Sequence, residues 1–461
     1  MFFVIIIKKS VNIIKNLKTL KIKFILLVAL TTSIATFSQK QWTLEEAVDE
    51  ALAKNISIQQ NKLSVLLAEK NVAIAKGNFL PNLNGSSSGN LNSGLSPDQN
   101  GILTNTNNFN SSFNLNSSGV IFNGYRNTNT YKQAKLGVER SLLDLKQIEN
   151  DISLRVVNNY LNVLFAKENL EVAEVQAAIS KKQIEAAKIR FESGVTAKGE
   201  LLNFQSTAAN DLQNVILQEN ALDLALLNIA QLLQEPAENF DVAPIEVETP
   251  STNLLYDNAS AVFRKSLGYM PEIANAKLDI ENANFNIALA KAAYLPSLSY
   301  NLGAGTSYFH QFNNLFPGQV NSNFGSQFVD RFQYGAGISL NIPIFNRLQT
   351  KNRVAQSLIN KEISETRLES QKLQLKQTIE QAFLDVKSSL KAYEASKISL
   401  EAQKEAFKNA QERFNYGAMT LFDFDLVRTR LVNAQGLLIR SKYDYVFKTK
   451  VLQFYSGELV F

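Results

Sequence analysis

Any chemistry in this chain would have to come from carboxylate, serine or lysine side chains. Its 461 residues include no cysteine and one histidine, His310. Disulfides, thiolate zinc sites, iron–sulfur clusters, cysteine nucleophiles and multi-histidine metal sites are therefore excluded. Carboxylate, serine and lysine chemistry remain, and no motif for any of them is present. The two acids considered as a pair are Asp423, in Thr420-x-x-Asp423, and Glu200. A glycosidase would need two carboxylates about 5–10 Å apart across a sugar cleft. These two instead follow separate turns, Arg190-Phe191-x-x-Gly194 and Arg413-Phe414-x-x-Gly417, in different halves of the chain. Two such helix tips offer no cleft of that kind. Past residue 38 the methionines are Met270 and Met419, so a soft-metal cluster is not expected. No catalytic group, metal or cofactor is expected.

Charge points away from nucleic acid. The chain carries 47 basic and 42 acidic residues, but residues 1–38 hold six of the lysines and no acid. The remainder holds 41 basic and 42 acidic residues, a net charge of −1. Binding driven by bulk positive charge then has no support. Residues 1–38 themselves read as a signal peptide. Lysines at 8, 9, 15, 18, 21 and 23 precede the apolar run Phe24–Leu30, and Ser38-Gln39 is the expected cleavage point. The run is shorter than the ~20 residues of a membrane-spanning helix. No later stretch reaches 18 apolar residues, so any membrane span must be built from strands.

The elements that position the turns come twice. Phe79-Leu80-Pro81-Asn82-Leu83 matches Tyr294-Leu295-Pro296-Ser297-Leu298 at a spacing of 215 residues. Ile121-Phe122-Asn123 matches Ile344-Phe345-Asn346 at 223, and the two Arg-Phe-x-x-Gly turns also lie 223 apart. Three matches in order indicate duplication, with eight residues inserted in the second half. The expected organisation is a signal at 1–38, a first unit at 39–235, a linker at 236–270, a second unit at 271–455 and a tail at 456–461. Each unit begins with a helix, Leu44–Gly77 or Glu272–Ala293, continues through two strands, and ends in two long helices joined at the glycine turn. The helix at 125–192 would be ~100 Å long. Its heptad stripe runs from Val138 through Ile152, Val156, Val163 and Ala173 to Ile184, with Glu149, Asn159 and Ser180 as exceptions. Leu368, Leu375, Ile379, Val386 and Leu400 continue the pattern in the second half. Apolar residues off the stripe imply neighbours on both sides.

The strands alternate. Phe332, Tyr334, Ala336, Ile338, Leu340 and Ile342 share one face, and Gln333, Gly335, Gly337, Ser339 and Asn341 the other. Leu298–Tyr308 repeats this, Phe109–Asn116 follows in the first half, and the stretch near Leu83–Leu91 is weak. The stretch 309–331, which contains His310, reads as an extracellular loop. An apolar outside with a small polar inside is the pattern of an outer-membrane barrel, which needs at least about eight strands. One chain offers four. An open four-stranded sheet would leave unpaired edges in lipid. If these strands span a membrane, several chains share one barrel.

The order of signal, helix, Leu-Pro, hairpin, long helix, Arg-Phe-x-x-Gly turn and helix, then the same again, resembles the TolC-like outer membrane efflux protein family over about residues 42–455. Trp42-Thr43-Leu44-Glu45-Glu46-Ala47 resembles the family's opening. Glu401–Gln435, with Arg413-Phe414-x-x-Gly417 and Leu421-x-Asp423, resembles its most recognisable segment. The resemblance implies an α+β, mostly α fold. It implies a homotrimer in outer-membrane lipid, with a twelve-stranded β-barrel continued by a periplasmic α-helical barrel. It implies a passive exit duct for efflux or type I secretion, coupled to an inner-membrane pump through a periplasmic adaptor. The turns would be the periplasmic tips. Arg190, Phe191, Gly194, Val195, Arg413, Phe414, Gly417 and Thr420 would then contact the adaptor. Asp423 matches a carboxylate that faces the closed pore, and Glu200 the carboxylate of the other turn. A ring of three such acids would draw cations. Solvated surface acids are the alternative, and for Glu200 the two readings weigh equally. Met419 and Lys198 depart from the family pattern, and Met419 stands where some members carry an arginine. A secreted coiled-coil adhesin would explain the heptads and the export signal, but neither the amphipathic strands nor the duplication.

Overall fold

The structure, a computed structural model, describes residues 40–97, 101–244, 258–313 and 320–458. The signal region with its cleavage point, residues 245–257 of the linker with Pro250, and the final Leu459–Phe461 lie outside the described residues.

Two long helical hairpins dominate. Helix α3 (Arg126–Glu192) and helix α8 (Gln349–Asn415) each run 67 residues, and α4 (Lys198–Leu233) and α9 (Leu421–Ser456) each run 36. No proline interrupts any of them. Helix α3 packs against α4, against α9, and against the helices that open the two units, so it has neighbours on both flanks as its off-stripe apolar residues imply. The stripe is buried at Ile152, Val156, Val163, Ala166 and Ala173, and open at Leu142. Among the described residues no helix is long and apolar enough to cross a membrane.

The first unit opens differently from expectation. The predicted helix over Leu44–Gly77 is two helices, α1 (Leu44–Lys54) and α2 (Ile56–Gly77). Asn55 makes the break. Its backbone leaves the helical region at ψ 128°, and its side chain accepts from the Ser57 N–H and donates to the Leu232 carbonyl. A buried asparagine that caps one helix while tying down another is worth more here than one more helical turn. In the stretch read as a linker, α5 (Ala259–Ser266) precedes α6 (Pro271–Ala292), which has Pro271 in its first turn, where its missing N–H costs nothing.

Two apolar cores hold the middle of the molecule. One joins Trp42, Val48, Ile58, Val156, Tyr160 and Leu233, and the other joins Met270, Ile273, Ile379, Val386, Tyr445 and Leu452. The chain entry is pinned to the first core by a two-residue parallel pair, β1 (Gln41–Trp42) with β4 (Asp241–Val242). The buried Tyr160 hydroxyl lies 2.9 Å from the Trp42 carbonyl and 2.6 Å from that of Ala243. Burial there pushes its pKa up to about 12.

Beyond the helices stands one antiparallel sheet, ordered β2 (Asn82–Pro97), β3 (Leu103–Asn123), β5 (Ser297–Gln311), β6 (Gln333–Asn341). The weakly patterned first strand is a full partner, paired from Asn82↔Ser118 to Pro97↔Leu103. Its alternation is faint because glycine and serine replace the large apolar residues. His310 lies in β5, not in a loop as expected: it pairs with Phe109 and its Nδ1 is 3.2 Å from the Tyr308 hydroxyl. The strand runs on because aromatic neighbours on the same face extend the packing surface. The 309–331 stretch also holds a short helix, α7 (Phe324–Asp330). Phe324 and Phe328 of α7 pack on Phe113, at 6.2 and 5.8 Å between ring centroids.

Candidate functional site

Both hairpin turns are glycine-closed helix ends. After Arg190 and Phe191, the Gly194 N–H donates to the Phe191 carbonyl at 3.0 Å and the Val195 N–H to that of Arg190 at 2.9 Å. After Arg413 and Phe414, the Gly417 N–H donates to the Phe414 carbonyl at 3.0 Å and the Ala418 N–H to that of Arg413 at 2.8 Å. This pair of bonds is a Schellman motif, which satisfies the last carbonyls of a helix. It requires a left-handed residue, and both glycines sit at φ +72°. Open space surrounds each, so a side chain there meets no clash and only the backbone strain counts. Gly417→Ala is accordingly expected to cost about 1–2 kcal/mol locally. Hydrogen exchange should speed up at the end of α8, while the global unfolding midpoint stays within about a degree or two.

The two restarts are unequal. Thr420 caps α9: its hydroxyl accepts from the Asp423 N–H at 3.2 Å and donates to Asp423 Oδ2 at 2.7 Å. This variant of the capping box fixes the Asp423 carboxylate at the helix start, where the dipole favours it. At α4 the cap is Ala197, which has no side chain able to bond, and the half-buried Glu200 is held only through its backbone N–H. Among the described residues no hydrogen bond or ion pair joins Glu200 to Asp423, which lies exposed on the other hairpin. The enzyme-like pairing of the two acids therefore has no geometric support.

Aromatic rings lock the tips together. Phe424 is 1% exposed and stacks on Phe414 at 4.9 Å, with Phe407 at 5.6 Å. Phe414 in turn meets Phe204 of α4 at 6.0 Å. Of the residues predicted as a tip surface, Phe191, Gly194, Val195, Arg413, Gly417 and Thr420 are exposed, Arg190 is half-buried, and Phe414 points inward. Tyr416 and Phe422, at the second turn, are further aromatics that face outward. No motif marked them, because exposure at a turn follows from its three-dimensional course. A cleft of about 580 Å³ lies beside the second turn, lined by Arg413, Met419, Thr420, Asp423 and Leu426 among others.

Above the tips lies a buried polar cluster. Arg428 donates through Nη1 to Asp211 at 2.7 Å and to the Ser180 hydroxyl at 2.8 Å, and the Ser180 hydroxyl also bonds Asp211. The one sequence signal for it was Ser180, a serine within an apolar stripe.

The far end of the molecule offers a second kind of surface. The register places Leu83 and Leu91, Phe109, Phe113 and Leu115, Leu302 and Ala304, and Tyr334, Ile338 and Leu340 on one face of the sheet. Tyr334 is 85% exposed and Ile338 75% exposed. The opposite face carries Asn84, Ser86, Ser88, Asn110, Ser112, Asn114, Asn301 and Ser339. The four strands contain no Asp, Glu, Lys or Arg. Among the described residues, no strand pairs with the outer side of either edge strand, β2 or β6. Large apolar residues facing outward, a small polar second face and two open edges suit a piece of a closed barrel in lipid. Among the described residues no cluster of three or more His, Asp or Glu could hold a metal ion.

Known proteins share this arrangement. A family described as outer membrane efflux protein matches residues 47–234 and 262–458. The outer membrane protein TolC of Vibrio cholerae is 23% identical over 311 residues, 68% of each chain. The outer membrane efflux protein BepC of Brucella suis is 20% identical over 419 residues, covering 90% of this chain and 86% of that one. The crystal structure of the Campylobacter jejuni CmeC outer membrane channel superposes with a TM-score of 0.73 at 19% identity, covering 90% of this chain and 86% of that one. At that identity the superposition speaks for the fold.

Proposed function

The chain belongs to the outer membrane efflux protein family, and on that premise we propose that it is the outer-membrane exit duct of an efflux or type I secretion system. Three copies share one twelve-stranded barrel, each giving β2, β3, β5 and β6. Their helices continue it as an α-helical barrel in the periplasm. The observation that carries this reading is the sheet itself. It is apolar on one face, neutral and polar on the other, and open at both edges, so one copy alone cannot close it. The duct does no chemistry, and its energy comes from an inner-membrane pump reached through a periplasmic adaptor. The organisation proposed is a leader at 1–38, units at 39–235 and 271–455 with a linker between, and a tail at 456–461.

The helical tips are the proposed gate and adaptor surface. Asp423, fixed by Thr420 and exposed beside the 580 Å³ cleft, is the first candidate to face the pore. Glu200 is the second. The adaptor would meet Arg190, Phe191, Gly194, Val195, Arg413, Gly417 and Thr420, with Phe414 acting from beneath and Tyr416 and Phe422 added. The barrel wall carries no fixed charge on its strands, so charge selectivity should come from the helical end. Asp423→Asn is expected to cut the cation preference, read as reversal potential in a salt gradient across a planar bilayer, and to weaken block by multivalent cations. Trimer mass should not change. Unaltered reversal potential and block in both Asp423→Asn and Glu200→Gln would remove the gate assignment.

A further inference from the structure

We propose that neighbouring copies join along β6 and β2 in a register that the duplication dictates, Leu340 of one copy opposite Ser87 of the next, and that α7 seals the outer end of this seam, where β6 stops short. This rests on the reading of the sheet as part of a shared barrel.

The duplication holds at the level of single residue pairs. The first strand of each unit is offset by 215 residues and the second by 223. In the first unit Asn82 pairs with Ser118. Their counterparts at those offsets are Ser297 and Asn341, which pair in the second unit. The joint between units can therefore be carried over to a joint between copies. Inside the chain β3 lies against β5 with Ser117 opposite Leu302. The counterpart of Ser117 is Leu340 on β6, and that of Leu302 is Ser87 on β2. These two strands are the edges of the sheet, and they run antiparallel as β3 and β5 do. The faces agree as well. Leu340 lies on the apolar face, and Ser87, paired with Phe113, lies on the same one. A slip of one residue would set the apolar face of one copy beside the polar face of the next.

At the outer end the two units differ. Strand β3 begins at Leu103, but β6 begins only at Gln333, opposite Gly305, while β5 runs on to Gln311. Helix α7 stands where a longer β6 would run. The buried Gln327 accepts from the Phe309 N–H at 3.0 Å and donates to the Phe309 carbonyl at 2.9 Å. Asn321, just before the helix, treats Gln311 in the same way, at 3.0 and 2.7 Å. Two carboxamides thus take the backbone hydrogen bonds of a missing strand, which the β5 edge needs wherever water is excluded. The buried Thr306 hydroxyl donates to the Phe328 carbonyl at 2.8 Å, so α7 also covers the apolar face beneath it. In the proposed register Gln333 lies opposite Gly94 of the neighbouring copy, whose β2 continues to Pro97. That overhang passes α7. Val329 on α7 and Leu95 on the overhang are each 72% exposed, and Leu95 lies on the face that α7 covers. Brought together across the seam, they bury each other and close the wall above the last strand pair.

The chain has no cysteine, so cross-linking of introduced ones reports the seam without background. Outer membranes carrying the full chain with two substitutions are treated with copper phenanthroline or a short bismaleimide and run on denaturing gels. Leu340→Cys with Ser87→Cys should give disulfide-linked dimers and trimers. Leu340→Cys with Leu91→Cys, on the same face but four residues out of register, should stay monomeric on the gel, as should each single variant. Val329→Cys with Leu95→Cys should link through the bismaleimide. Linking of Leu340 to Leu91 in preference to Ser87 overturns the register. Linking of Leu340 to Ser87 without any between Val329 and Leu95 means that α7 faces lipid, and overturns the seal. No linking of any pair in a protein of trimeric native mass overturns the seam as a whole and leaves the trimer standing. No linking in a protein of monomeric mass removes the shared barrel and the seam with it. Should the cysteine variants not assemble, Gln327→Ala decides: the seal predicts a trimer that dissociates in SDS at a lower temperature than wild type, and an unchanged temperature overturns it.

Discussion

Leu302→Arg is expected to abolish outer-membrane assembly, whereas Asn301→Arg, one residue away, is expected to be tolerated. The two side chains lie on opposite faces of β5. Leu302 shares its face with Leu83, Ala336 and, further along, Tyr300 and Ala304, while Asn301 shares the face of Gly337 and Ser118. If the first face meets lipid, an arginine near the middle of the apolar band costs about 2–4 kcal/mol in each copy. Three copies in the proposed barrel would multiply that cost. On the other face the same arginine enters water. It adds three positive charges to a wall that has none, so the assembled channel should lose cation preference. Fractionation followed by native gels reads both results. Equal assembly of the two variants would mean that the sheet does not have a lipid side.

Phe424→Ala should unlock the tips. The ring is fully enclosed by Phe414 and Phe407, and Phe414 carries the contact onward to Phe204 on the other hairpin. Truncating a buried phenylalanine costs about 3–5 kcal/mol. The stability of a long hairpin near its turn is far below that of its centre, so the loss is felt as local unfolding. Limited proteolysis should cut the second tip at 413–424, with the rest of the chain protected. Phe422→Ala, two residues earlier and exposed, is the matched control. It should leave protease resistance unchanged and weaken adaptor binding if the tip is the adaptor surface.

The sequence carried the long-range plan of this molecule better than its local joints. The duplication, the two hairpins and the glycine turns depend on spacing and on a few residue types with strong backbone demands. Gly194 and Gly417 are such residues, and the structure has both at left-handed φ. The break at Asn55 is not legible in the sequence because an asparagine within an apolar-periodic run does not reveal the Leu232 carbonyl it meets 177 residues later. Strand β2 looked weak because its partner faces are built from Gly85, Ser87 and Gly89, which pack against Leu115, Phe113 and Ser111 of β3. Its pairing supplies the order that its own side chains do not. His310 was misplaced for the opposite reason: aromatic residues extended β5 past the point where alternation suggested a loop. Helix α7 is too short for a periodic signal, and it is held by tertiary bonds, with Gln327 paired to both backbone groups of Phe309.

At the tips, sequence motifs found the turns and Asp423 but not the partners that define them. Phe204 stands in no motif. Arg428, Asp211 and Asp425 stand in no motif, and only Ser180, a polar residue at a buried heptad position, points to a polar contact there. A buried ion pair between helices is a property of their relative rotation. Neither helix alone carries it.

The shared barrel is the central claim, and the mass of the native protein extracted from outer membranes in detergent tests it most directly. Three copies per particle, stable in detergent and lost from solution without it, is the result expected. A monomer, or a protein soluble without detergent, would contradict it, because four strands with two open edges cannot cross a membrane alone.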